Sequence, residues 1–286
     1  MNKLGAFYGS WNAEGNVDLF HYMRKAATAG FDVIELMADT VEGMDKQRRK
    51  NLKKLGDELG IAFTFAVDPP SEFDVSSPDA GTRRKAVEKL SGYFHIISEF
   101  DSHIAAGIGN GIWNSKMTNS KEEHTKWSIE SMQRLMPLAE ELKINCCLEV
   151  VNRYEHYMLN TCREAVEYIR QVSSNNLKVQ LDTFHMNVEE DNFGSAIMEA
   201  GSLLGYFHVG ENNRRPPGVG FLPWKEIFGA LNKINYDGII TMEVFVKPGG
   251  DFGDACSVWR DIMPGADMDA EITKSRLFLE RMIREV

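Results

Sequence analysis

The chain has 286 residues, 43% of them hydrophobic, enough to bury a large core and the usual length of one α/β barrel. Its formal net charge of −10 argues against a nucleic-acid partner, because phosphate binding rests on clustered Lys and Arg. The four cysteines form no CxxC pair, and no apolar run approaches the roughly 18 residues that span a bilayer. A disulfide scaffold and a membrane partner are therefore excluded, and a reducing, cytoplasmic location is expected.

From the N-terminus, apolar strand patterns alternate with amphipathic helical ones. The start, Met1-Asn2-Lys3-Leu4-Gly5, lacks a signal peptide's apolar segment and leads straight into a strand at 4–8. A helix over 17–29 follows, opened by Asp18 and closed by Gly30, then a strand at 31–37 and a helix over 43–59 closed by Gly60. Within that helix Lys46 to Lys54 is a dense basic run, read as a solvated face. Next come a strand at 61–66, a helix over 78–99 entered through Ser77-Pro78-Asp79, and a strand at 102–108. Ser120 and Thr161 open helices over 122–142 and 162–174, on either side of a strand at 144–150. Strands at 177–182, 205–209 and 239–243 alternate with helices over 192–201, 223–233 and 270–284. Eight such units predict one (β/α)8 TIM barrel spanning 1–286. No Gly-x-Gly-x-x-Gly follows the first strand, so a dinucleotide fold is disfavoured.

Four of these apolar runs end in a residue that is costly to bury: Glu149, Asp182, His208 and Glu243, at steps of 33, 26 and 35 residues. They close strands five to eight, and in a barrel of this kind the carboxyl ends of the strands gather the functional groups. Three carboxylates crowded together repel one another unless one takes a proton or a cation joins them. Two glutamates, an aspartate and an imidazole form a mostly oxygen site suited to Mn2+ or Mg2+, with Co2+ as a substitute.

The same residues lie in longer motifs. These are Leu148-Glu149-Val150-Val151-Asn152-Arg153-Tyr154-Glu155, Leu181-Asp182-Thr183-Phe184-His185-Met186-Asn187, Phe207-His208-Val209-Gly210-Glu211-Asn212-Asn213-Arg214 and Met242-Glu243-Val244-Phe245. With Val258-Trp259-Arg260-Asp261 they resemble the ketose 3-epimerases, typified by the D-tagatose and D-psicose enzymes, among the xylose isomerase-like TIM barrels. The resemblance is dense from about 144 to 262 and thin before it. It implies one divalent ion, usually manganese, held by Glu149, Asp182, His208 and Glu243. It further implies that Glu155, His185 and Arg214 contact the sugar oxygens near carbons 1 and 2, and that Glu149 and Glu243 carry protons on opposite faces of a ketose.

The motif pattern departs at the other end of the sugar. Phe7 stands where those enzymes carry a tyrosine, which removes a hydroxyl and leaves an apolar wall. Trp113 offers an apolar face to the sugar, with core packing as its other reading, and Phe65-Ala66-Val67-Asp68 replaces a glycine-containing turn. Three rivals remain: an aldose–ketose or hydroxypyruvate-type isomerase on the same site, a metal-dependent endonuclease, and a sugar-binding barrel without turnover. The endonuclease needs more histidines than the seven present and a basic face. A homodimer or homotetramer is what the resemblance implies, with the segment from Gly249 to Trp259 read as a pocket-covering loop or an interface.

Overall fold

In the computed structural model, which describes residues 2–107, 109–113 and 116–285, eight parallel strands pair in chain order and close on themselves. β1 (Leu4–Phe7) pairs with both β2 (Val33–Met37) and β8 (Ile240–Met242). Between β2 and β8 run β3 (Ala62–Ala66), β4 (Ile104–Gly107), β5 (Asn145–Glu149), β6 (Leu177–Asp182) and β7 (Leu204–Val209). This is the predicted (β/α)8 barrel. Ile108, the expected last residue of the fourth strand, lies outside the described residues.

Eight long helices match the eight expected: α1 (Leu19–Ala29), α3 (Lys46–Leu59), α4 (Ala80–Glu99), α5 (Lys121–Glu141), α6 (Cys162–Val172), α8 (Phe193–Ala200), α9 (Trp224–Lys233) and α11 (Met268–Glu285). Their starts follow local chemistry. Asp18 and Asp79 accept the backbone N–H of Phe20 and Thr82, while Ser120 and Thr161 form capping boxes with Glu123 and Glu164. Gly30 and Gly60 take left-handed φ values of 84° and 69° past α1 and α3. The basic run lies on α3, which turns Leu52 and Leu55 inward while Arg49 and Lys53 reach Glu99 and Asp101.

Three short helices were not predicted: α2 (Ala38–Glu42), α7 (Thr183–Glu189) and α10 (Gly250–Ala255). They follow the carboxyl ends of β2, β6 and β8. The stretch after Asp182, expected as a loop, is therefore helical, and part of the 249–259 segment is too. None is long enough to show a helical period.

The barrel interior is filled. Below the strand tips, the buried Tyr206 hydroxyl lies 2.8 Å from Thr64 Oγ1 and 2.6 Å from Thr241 Oγ1, tying β7 to β3 and β8. Among the described residues no helix is long and apolar enough to cross a membrane.

One buried group outside the barrel mouth carries a pH dependence. His156, 3% exposed, stacks on Tyr157, and its Nδ1 accepts the Met158 N–H. Burial, with help from the charge of Lys121, pushes its pKa down to about 4. A folded-state value below the unfolded one, about 6.5, means the unfolded chain binds the proton first as pH falls. Stability should be full above about pH 6.5 and fall by about 3 kcal/mol on approaching pH 4. Urea unfolding at pH 7.5 and 4.5 checks this, with His156→Gln expected to flatten the difference.

Candidate active site

Strand pairing brings the four marked tips together. Glu149 ends β5, Asp182 ends β6, His208 is next to last in β7, and Glu243 follows β8; Asp182 and His208 are register partners. Gly210 lets the last two tips approach, because a Cβ there would stand 2.7 Å from the Glu243 carbonyl oxygen. One ligand atom from each of the four residues falls within 4.8 Å of the others. His208 Nδ1 is 3.6 Å from Glu243 Oε1 and 3.8 Å from Glu149 Oε1.

These donors fit a divalent ion. Burial and the charge of Glu243 push the Glu149 carboxyl well above the usual carboxylate range, and Glu149 Oε1 has no hydrogen-bond partner among the described residues. Burial also raises Asp182, to about 6, against the opposing pull of Arg214. A cation would take the place of the protons these groups otherwise retain.

Arg214 joins the cluster from the loop after β7. Its Nη1 donates to Asp182 Oδ2 at 3.0 Å and Glu243 Oε2 at 3.1 Å, and its guanidinium lies over the Phe184 ring at 3.9 Å. The residue has φ 64°, rare for a side chain with a Cβ, and its backbone is held by Glu211 and Phe245. His185, on α7, is positioned from below. Its Nδ1 accepts the backbone N–H of Asn152 at 3.2 Å, while its Nε2 lies 3.4 Å from Arg214 Nη2 and 3.8 Å from carboxylate oxygens of Glu149 and Asp182. Burial and Arg214 hold its pKa well below the usual histidine value. The Asn152 amide also donates to Glu155 Oε1, so one side chain spaces His185 and Glu155.

A cavity of about 770 Å³ opens over the cluster at the carboxyl ends of the strands. Glu149, Glu155, His185, Arg214 and Glu243 line it, while Asp182 and His208 lie buried beneath. Phe7 is also in the wall, its ring packed edge-on against Phe252 of α10 at 5.1 Å, and Trp113 stands in the wall as well. All nine residues singled out from the sequence therefore surround one mouth. Farther along the wall is Asp68, pushed up to about 6 by burial and by the charge of Asp39.

The sequence reading missed Glu35, Gln180 and Cys256. Glu35, fully buried in β2, places Oε2 2.9 Å from His208 Nε2. Gln180, buried in β6, places Nε2 3.3 Å from His208 Nδ1. Glu35 interrupts the apolar run of β2, and Gln180 stands between the buried Val179 and Leu181 of β6; those interruptions were the available signal. Cys256, just past α10, lines the cavity; all four cysteines are free thiols.

The xylose isomerase-like TIM barrel family matches residues 23–262. The D-psicose 3-epimerase of Ruminiclostridium cellulolyticum is 40% identical over 267 residues, covering 93% of this chain and 91% of that one. The D-psicose 3-epimerase of Agrobacterium fabrum is 38% identical, with 93% of each chain covered. A crystal structure of the Clostridium cellulolyticum H10 enzyme with D-tagatose superposes with a TM-score of 0.96 at 38% identity, covering 98% of this chain and 99% of that one. Barrel, strand-tip cluster and relatives agree: the chain belongs to the xylose isomerase-like TIM-barrel family, among its ketose 3-epimerases, and is an enzyme of the isomerase class.

Proposed function

We propose that the protein inverts carbon 3 of a free ketose through an enediolate, using one divalent ion, manganese by the donor set, held by Glu149, Asp182, His208 and Glu243. The observation that carries this is the convergence of those four ligand atoms within 4.8 Å at the floor of a cavity also lined by His185, Arg214 and Glu155. Bound there, the ion supplies a Lewis acid for the carbonyl oxygen and its neighbouring hydroxyl.

The chain's own residues do the rest. Inversion requires a proton to leave one face of carbon 3 and another to arrive at the opposite face. Glu149 and Glu243, on β5 and after β8, approach from different sides of the mouth and exchange the acid and base roles with the direction of reaction. Arg214 and His185 stabilise negative charge as it builds on the oxygens at carbons 1 and 2. Glu155, spaced from His185 by Asn152, accepts from the sugar hydroxyls. Phe7 and Trp113 provide apolar surface for the distal carbons.

A free sugar suits the wall better than a phosphorylated one, because Asp39, Asp45, Asp68 and Asp251 outnumber the single cation, Arg48, in that part of the wall. Two of the solved relatives were crystallised with D-tagatose and in the presence of D-fructose, which supports a ketohexose. Equilibrium ¹³C NMR on a panel of free ketoses with added Mn2+ should show a second ketose and no aldose. Aldose formation would instead indicate proton transfer between carbons 1 and 2, and binding without product would mark a non-catalytic barrel.

A further inference from the structure

Glu35 is fully buried, yet among the described residues neither of its carboxylate oxygens makes a hydrogen bond of good geometry. Its Oε2 lies 2.9 Å from His208 Nε2. Burying a carboxyl group there without full hydrogen bonding is costly. An apolar residue would pack the interior of β2 more cheaply. The group therefore needs a reason that the core does not supply.

The other ring nitrogen provides it. Gly107 N–H donates to Gln180 Oε1 at 2.9 Å, and a backbone N–H can only donate, so the orientation of the Gln180 amide is fixed. Its Nε2 then faces His208 Nδ1 at 3.3 Å as a donor, which calls for a lone pair on Nδ1. Nδ1 is also the nitrogen nearer Glu149 and Glu243. With Glu35 on Nε2 and an amide donor at Nδ1, both neighbours favour the tautomer that carries its hydrogen on Nε2 and leaves Nδ1 free to ligate.

We propose that Glu35 is a positioning residue that holds the His208 ring with Nδ1 turned into the metal centre, so that it sets metal affinity without touching the sugar. The inference rests on the metal reading given under Proposed function. A carboxylate behind a ligating imidazole fixes the ring and raises its basicity, and losing such a partner typically weakens metal binding about 10- to 100-fold. Gln180 reports the tautomer, while Glu35 imposes it.

The test is a Mn2+ titration of metal-stripped protein, read by the EPR signal of free Mn2+, beside thermal melting of the same samples. Glu35→Gln should bind Mn2+ about 10- to 100-fold more weakly than the parent. Glu35→Asp, which keeps the charge but withdraws it by one carbon, should fall between the two and provides the reading if Glu35→Gln does not fold. Affinity of either folded variant within twofold of the parent would overturn the proposal, whatever its melting temperature, because a purely structural Glu35 would change melting and leave affinity alone. If the parent itself binds no Mn2+, the metal reading fails first and this inference fails with it.

Discussion

Glu243→Gln should reduce turnover by about 10³-fold or more while the protein still folds and melts cooperatively. The substitution is nearly isosteric, so the contacts of the segment after β8 survive, including the backbone bond from Glu243 to Val209. What disappears is a carboxylate of the four-residue cluster, the one that takes a proton from carbon 3 in the function proposed above. Losing general base catalysis alone costs about 10²- to 10⁴-fold, and losing a charged ligand adds to that. The measurement is kcat on a ketose that the parent epimerises, with circular dichroism as the check on folding. Activity near the parent's, with Mn2+ bound, would remove Glu243 from the chemistry.

Stripping the protein with a chelator should abolish turnover, and adding Mn2+ back should restore it. The same treatment should lower thermal stability. An ion that binds only the folded chain stabilises it by about 2.7 kcal/mol at a concentration 100 times its Kd. The melting temperature should therefore rise with added Mn2+ in the stripped protein and stay constant in an Asp182→Asn, His208→Ala double variant, which lacks two of the four ligands. Full activity in the chelated protein, with no metal detected by elemental analysis, would sink the metal dependence.

The barrel was legible in the sequence because its signals are long. Eight apolar runs alternate with helices whose caps, Asp18, Ser120 and Thr161, act within three residues of themselves. The cluster was legible because Glu149, Asp182, His208 and Glu243 each stand at the end of an apolar run, and parallel strands in register place such ends side by side. The three short helices were not, since five to seven residues reveal no period and only α7 opens on a side-chain cap, from Asp182. Glu35 and Gln180 were missed for another reason. Their meaning depends on His208, which is far from both in sequence and meets them only when the barrel closes.

The hydroxyl plug of Tyr206, Thr64 and Thr241 beneath the strand tips gives the reaction vessel a bottom. His208 and Asp182 lie buried beneath the cavity whose wall includes Glu155 and Trp113. If ion and ketose bind as proposed, the deeper guest is seated first: ion before sugar on arrival, sugar before ion on departure. The ketose would then act as a stopper over the ion, and loading and unloading of the centre would follow a queue set by the depth of the well.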